Sequence, residues 1–303
     1  MNWDDFARAT VQTDGAAISV SYGGSGPAVL LLHGFPETKL MWREISLRLA
    51  EQFFVVAADL RGYGDSSTPP STSDHMPYSK RAMANDMIQV MAHLGHDRLV
   101  VAGHDRGGRV AYRMALDHPQ AVSKLAVLDV LPVDIVWDRA EERMAFAFWP
   151  WSLLAQAEPL PERLLTGAPD AVIAHALSSE WGTPTETFAE EDRIAYTAML
   201  GDHEHAHAIC EEYRAAAGVD RDHDAEDRRR RRRIACPVLA LWSARGPLSS
   251  WYSDLGGPLA IWRDLADHVA GGAVEGGHFF PEEHPDQTAT ALAGFFNGGE
   301  PIP

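Results

Sequence analysis

Eleven residues, Leu99-Val-Val-Ala-Gly-His-Asp-Arg-Gly-Gly-Arg109, leave this chain few folds to choose from. The apolar start reads as a buried strand. Gly103, Gly107 and Gly108 bracket Asp105, and a helix-forming run follows from Val110 to Leu116. A strand, a sharp turn and a helix with small residues around a central side chain make a nucleophile elbow, because glycine lets the backbone take a strained turn that lifts that side chain clear of the strand end. Here the side chain is a carboxylate. With a reference pKa of about 3.9, Asp105 needs no base to activate it and can displace a leaving group from saturated carbon. The resulting aspartyl ester then requires a histidine to activate water and an acid to orient that histidine.

The rest of the chain repeats the same rhythm. Ala17 to Tyr22 alternates and reads as an edge strand, joined by the Gly-Gly-Ser-Gly-Pro27 turn to a buried strand, Ala28 to Leu32, which ends in His33-Gly-Phe-Pro36. A helix is expected over 39–51, a strand over 54–58, a glycine-rich loop over 59–66, a helix over 79–93 and a strand over 124–130 carrying Asp129. Strands alternating with helices mean an α/β protein with a mostly parallel sheet. From about Pro132 to Arg233 no buried strand appears, only helical patterns and aromatics such as Trp137, Phe146, Phe148, Trp149, Trp151 and Trp181. Strand rhythm resumes at Cys236 to Trp242, continues through a helix over 259–269 and a short strand near Ala273, and closes with a helix over 284–296. The expected organisation is a core over 1–132, an inserted helical cap over 133–233 and the remainder of the core over 234–303.

Acidic residues outnumber basic ones 43 to 26, for a net charge of -17, which argues against nucleic acid and requires that any anionic ligand be met by a local arginine cluster. The run Arg228 to Arg233 follows an acidic stretch and reads as solvated surface. His203, His205 and His207 could suggest a metal, but on a helix only 203 and 207 share a face, so no metal is expected. Cys210 and Cys236 are too few for a disulfide framework, which fits a reducing cytoplasm. The start lacks the pattern of a secretion signal, and no stretch reaches the roughly 20 apolar residues of a membrane helix.

The expected base is His278, in Gly276-Gly-His-Phe-Phe-Pro-Glu-Glu-His284, on a loop after the last strand; His284 begins the final helix. The acid could follow either the strand after the elbow helix or the first strand after the cap. Asp129 closes the former directly, whereas after the cap no carboxylate occurs until Asp254, and Asp129 is preferred. The order Asp105, Asp129, His278 is that of α/β-hydrolases. Over its whole length the chain resembles that superfamily, and in Gly-His-Asp-Arg-Gly-Gly-Arg109 it resembles the fluoroacetate (haloacetate) dehalogenases. Relatives that also attack with aspartate usually have tryptophan where this chain has Arg106.

The resemblance implies hydrolysis of a haloacetate to glycolate and halide through a covalent ester, with Arg106 and Arg109 holding the substrate carboxylate at the positive end of a helix. It further implies that backbone N–H groups of Phe35 and Arg106 hold the oxyanion and that Trp151 and Tyr213 cradle the halide, with no cofactor and a homodimeric assembly. The family's third halide ligand, a histidine, falls on Pro150, which would weaken defluorination most. Two other readings stay open. An epoxide hydrolase would use the same Asp/His/Asp set with two cap tyrosines, for which Tyr196 and Tyr213 could serve. A non-catalytic receptor for a small carboxylate would be expected to have lost one of the three residues.

Overall fold

The computed structural model describes residues 2–299, and a single eight-stranded sheet organises them. The strands are β1 (Ala7–Gln12), β2 (Ala17–Gly24), β3 (Ala28–Leu32), β4 (Phe54–Ala58), β5 (Leu99–His104), β6 (Val122–Leu128), β7 (Val238–Ser243) and β8 (Val269–Val274). Their order is β1-β2-β4-β3-β5-β6-β7-β8; β2 runs antiparallel to both its neighbours and every other pair is parallel. The fold is that of an α/β hydrolase, as expected.

One expectation about the sheet fails. Ala17–Tyr22 is not the edge, and it does not pair with Ala28–Leu32. β4 lies between them, with Val56 opposite Tyr22 on one side and Leu30 on the other. The edge is β1, which buries only Val11 and so carries too little apolar alternation to be read from sequence.

The central strands are buried on both faces, which is why they read as unbroken apolar runs. On one face Val29, Leu31, Val55 and Ala57 pack with Ile45 of α1 (Arg43–Leu49) and Leu292 and Phe296 of α14 (Pro285–Phe296). On the other, Leu30, Leu32 and Val101 meet α2 (Lys80–His93) and α3 (Asp105–Asp117). Ser79 caps α2 by accepting the Ala82 N–H at 3.2 Å, and Met83, Met87, Val90 and Met91 recur at helical spacing on its buried stripe.

Between β6 and β7 the chain is helical: α4 (Val133–Asp138), α5 (Glu142–Ala147), α6 (Trp149–Leu154), α7 (Leu160–Gly167), α8 (Pro169–Ala176), α9 (Glu190–Gly201), α10 (His203–Ala217) and α11 (Val219–Arg229). Helices α12 (Gly257–Leu265) and α13 (Phe280–Glu283) flank β8 in sequence. Buried ion pairs tie this insertion to the sheet. Arg113 of α3 reaches Asp224 at 2.6 Å and Asp227 at 2.5 Å on α11, and the Tyr112 hydroxyl donates to Asp224 at 2.8 Å.

Elsewhere the charges pair locally. In the run 228–233, Arg228 bonds Asp134, Arg229 and Arg230 bond Glu226, Arg232 bonds Asp227 and Arg233 bonds Asp267. His205 contacts the Gly62 carbonyl at 3.0 Å while His207 lies 3.3 Å from Glu162, so these two rings serve separate contacts. Among the described residues no helix is long and apolar enough to cross a membrane.

Candidate active site

Asp105 stands at the junction of β5 and α3 with φ of 42°, a left-handed conformation that a non-glycine residue adopts only where its surroundings hold it there. Close backbone contact provides that hold. A Cβ on Gly107 would lie 2.4 Å from the carbonyl oxygens of Leu32 and His33, and one on Gly34 would lie 2.6 Å from the Asp105 Cβ, so both positions require glycine. The two carboxylate oxygens are distinguished. Oδ2 accepts the Phe35 N–H at 3.2 Å, while Oδ1 accepts from Arg109 Nη1 at 2.8 Å. Burial alone would raise the Asp105 pKa, but Arg109, His278 and Arg106 together hold it well below the usual carboxylate range.

His278 follows β8 and presents Nδ1 to Asp129 Oδ2 at 2.6 Å. An ionised carboxylate only accepts, so Nδ1 carries the proton and Nε2 is left free to take one. Asp129 immediately follows β6, and its Oδ1 accepts the Ser243 N–H at 2.9 Å from the end of β7. The acid therefore comes from β6, and β7 supplies a backbone donor that orients it. Burial lowers the His278 pKa, but the bond to Asp129 and the charges of Asp129 and Asp105 outweigh it and leave the imidazole above its ordinary value. Behind His278, the buried His104 ring lies 4.6 Å away centre to centre and its Nε2 sits 2.9 Å from the His278 carbonyl. Burial pushes His104 down to about 4 and pushes Glu37, whose Oε2 is 3.5 Å from His104, up to about 8. The His284 side chain caps nothing at the start of α14; it lies 3.4 Å from Glu283.

The arginines divide. Arg109 lines the cavity above Asp105, but Arg106 does not: it is fully buried, with its guanidinium carbon 4.0 Å from the Tyr213 ring centre and 5.2 Å from that of Trp151. An open pair on one helix face is therefore not what forms. Residues three apart diverge here because Glu212 takes Arg106 Nε at 2.8 Å, while Arg109 turns to Asp105 and stacks 4.6 Å from Trp151. The two N–H groups expected for the oxyanion differ as well. Phe35 N already points at Asp105 Oδ2, and a Cβ on Gly34 would meet both that oxygen, at 2.9 Å, and Arg106 N, at 3.2 Å.

These groups surround a cavity of about 40 Å³ whose wall includes Phe35, Pro150, Trp151, Trp181 and Tyr213. A water needs about 10–15 Å³ on this measure, so the space suits a molecule of a few heavy atoms. Pro150 sits in the first turn of α6, where its missing N–H costs the helix nothing, and it gives the wall no donor. Tyr196 is fully buried on α9 and is not part of the wall; burial, with the charges of Glu282, Glu37 and Asp192, raises its hydroxyl pKa well above the usual range. Trp181 was legible only as one aromatic among many. Its ring is 5.5 Å from that of His278, its carbonyl accepts the His278 N–H at 2.8 Å and its Nε1 donates to the Ala147 carbonyl at 2.7 Å.

A strained acid elbow, a histidine paired with an acid from the next strand and a helical insertion over a parallel sheet define a class. Residues 27–285 match the family described by the alpha/beta hydrolase fold. The chain is 37% identical to a fluoroacetate dehalogenase from Burkholderia sp, over 97% of this chain and 95% of that protein. It is 30% identical to a soluble epoxide hydrolase from Corynebacterium sp. (strain C12), over 90% and 91%. Among solved structures it is similar to ALR0039 from Nostoc sp PCC 7120, with a TM-score of 0.93 and 41% identity over 98% of this chain and 99% of that one. It is also similar to the epoxide hydrolase CorEH, with a TM-score of 0.85 and 28% identity over 97% and 99%. The chain belongs to the α/β-hydrolase family and is a hydrolase.

Proposed function

We propose that this hydrolase is a haloacetate dehalogenase. The observation that carries the reading is the anionic nucleophile held between cationic groups at the foot of a small cavity that only one candidate cap tyrosine reaches. Asp105 Oδ1 attacks the carbon bearing the halogen, the carbon–halogen bond breaks and halide leaves with its electron pair. Trp151 and Tyr213 lie where they can meet it. Arg109, with Arg106 behind the rings, balances the substrate carboxylate against an otherwise acidic protein. Water, deprotonated by His278 Nε2, then adds to Cγ of the ester. The oxyanion forms on Oδ2, where Phe35 N already donates, and collapse breaks the Cγ–Oδ1 bond and releases glycolate, which recovers the proton from His278, while Asp105, left as the acid, gives up the remaining water proton to solvent.

Charge favours this order. Before attack, the Asp105 anion helps keep His278 basic; alkylation removes that charge, so the imidazole pKa falls at the step where a neutral base is required. The epoxide reading needs two tyrosine donors, and Tyr196 is buried outside the cavity wall. Halide release from chloroacetate and chloroacetamide, set beside diol formation from styrene oxide, tests the reading. Much faster turnover of the acid than of the amide, with no diol, is expected; equal rates for acid and amide, or diol formation, would overturn it.

A further inference from the structure

We propose that Glu212 is the positioning residue for the substrate carboxylate, acting through Arg106; this rests on the haloacetate reading above. Arg106 has three guanidinium nitrogens, and Glu212 occupies two: its Oε1 accepts Nε at 2.8 Å and its main-chain carbonyl accepts Nη2 at 3.3 Å. The third, Nη1, is buried without a hydrogen-bond partner, on a guanidinium flanked by the Tyr213 and Trp151 rings that wall the cavity. A buried donor left unmade is costly, and a carboxylate seated between the Tyr213 and Trp151 rings, which screen Arg106 from the cavity, is the group that would satisfy it. Without Glu212, the nearest anion for Arg106 is Asp105 beside it, and an arginine drawn there would be lost to the substrate.

The Glu212 carboxylate is in turn held on both sides. Lys80 Nζ donates to Oε1 at 2.5 Å and the Tyr63 hydroxyl donates to Oε2 at 2.7 Å, all three groups being buried. Lys80 also faces Asp220 at 3.8 Å. Glu212 therefore stands between two buried cations, and their charges keep it ionised where burial alone would protonate it. The neighbouring residue, Tyr213, lies in the cavity wall, so one helical turn of α10 supplies both a wall residue and the anchor of the arginine behind it.

The test compares KM and kcat for chloroacetate and chloroacetamide in the native chain, Glu212→Gln and Glu212→Asp, with melting curves for each. Gln keeps the length and loses the charge; Asp keeps the charge for Lys80 but draws back from Arg106. The expected result is a KM for chloroacetate at least about tenfold higher in Gln and about threefold higher in Asp, with chloroacetamide kinetics within about twofold of native. Should Gln not fold, the Asp variant decides alone. An unchanged chloroacetate KM, or parallel losses on acid and amide, would overturn the role of Glu212. A native protein that releases no halide from chloroacetate would instead overturn the haloacetate reading, so the two failures are told apart.

Discussion

The floor and the wall of the cavity are built by different rules. The floor is made at strand ends: Asp105 after β5, Asp129 after β6 and His278 after β8, each positioned by backbone whose register the parallel sheet sets. The wall comes from helices α6 and α10 and the Trp181 segment, whose places depend on side chains packing over a hundred residues of intervening chain. In the mechanism proposed above the floor carries the bond-making chemistry, while the wall selects the substrate.

The sharpest way to break this division is at the floor. Asp105→Asn should lower turnover by about four orders of magnitude or more. His278→Asn should stop only the second step, leaving a carboxymethyl ester on Asp105 that mass spectrometry detects after the first alkylation. An adduct elsewhere, or none, would displace Asp105 as nucleophile.

Between floor and wall stands Arg109. Arg109→Leu removes a charge-assisted contact worth about 1.5–3 kcal/mol, so kcat/KM for chloroacetate should fall about tenfold to a hundredfold further than that for chloroacetamide. Equal losses would mean that Arg109 serves the nucleophile alone.

The wall itself is probed at Pro150. On the proposed reading a departing halide would meet Trp151 and Tyr213 and would gain no donor from the proline beside them. Chloro- and bromoacetate should react faster than fluoroacetate, whose stronger carbon–halogen bond needs more help. Pro150→His should raise fluoride release up to about tenfold while changing chloride release less, read with ion-selective electrodes. Robust native defluorination without such a gain would mean that the wall holds another donor.

The smallest effect lies beneath the floor. Burial raises Glu37 from an ordinary 4.5 to about 8, so the folded chain keeps a proton that the unfolded chain has released across that window. The contribution of Glu37 to stability therefore falls as pH rises from about 5 to 8, against the opposite contribution of the buried His33 and His104 in the lower part of that window. Glu37→Gln removes the titration, and its melting temperature should drop a few degrees less than the native protein's between those pH values. Identical slopes would place the buried proton elsewhere.

The same contrast explains what the amino-acid sequence made legible. Asp105, Asp129 and His278 could be read because glycines and apolar strand runs are local signals. Tyr196 could not be separated from Tyr213 by composition; both are buried, and only the packing of the helices puts Tyr213 in the cavity wall and leaves Tyr196 out of it. The sealed position of Arg106 depends on Glu212, distant in sequence, and an i, i+3 spacing says only which helix face is shared, not which partner claims a side chain. β1 escaped notice for the opposite reason, since an edge strand with one buried residue has almost no pattern to read.

The bond from the His278 N–H to the Trp181 carbonyl joins the two rules in one place. The base is fastened to the insertion, not only to the sheet. The main chain on either side of the His278 ring is thereby held from two directions, by the sheet end that precedes it and by the helical segment between β6 and β7. A substitution that shifts the Trp181 segment therefore moves the imidazole as well, so the insertion and the histidine cannot be altered independently.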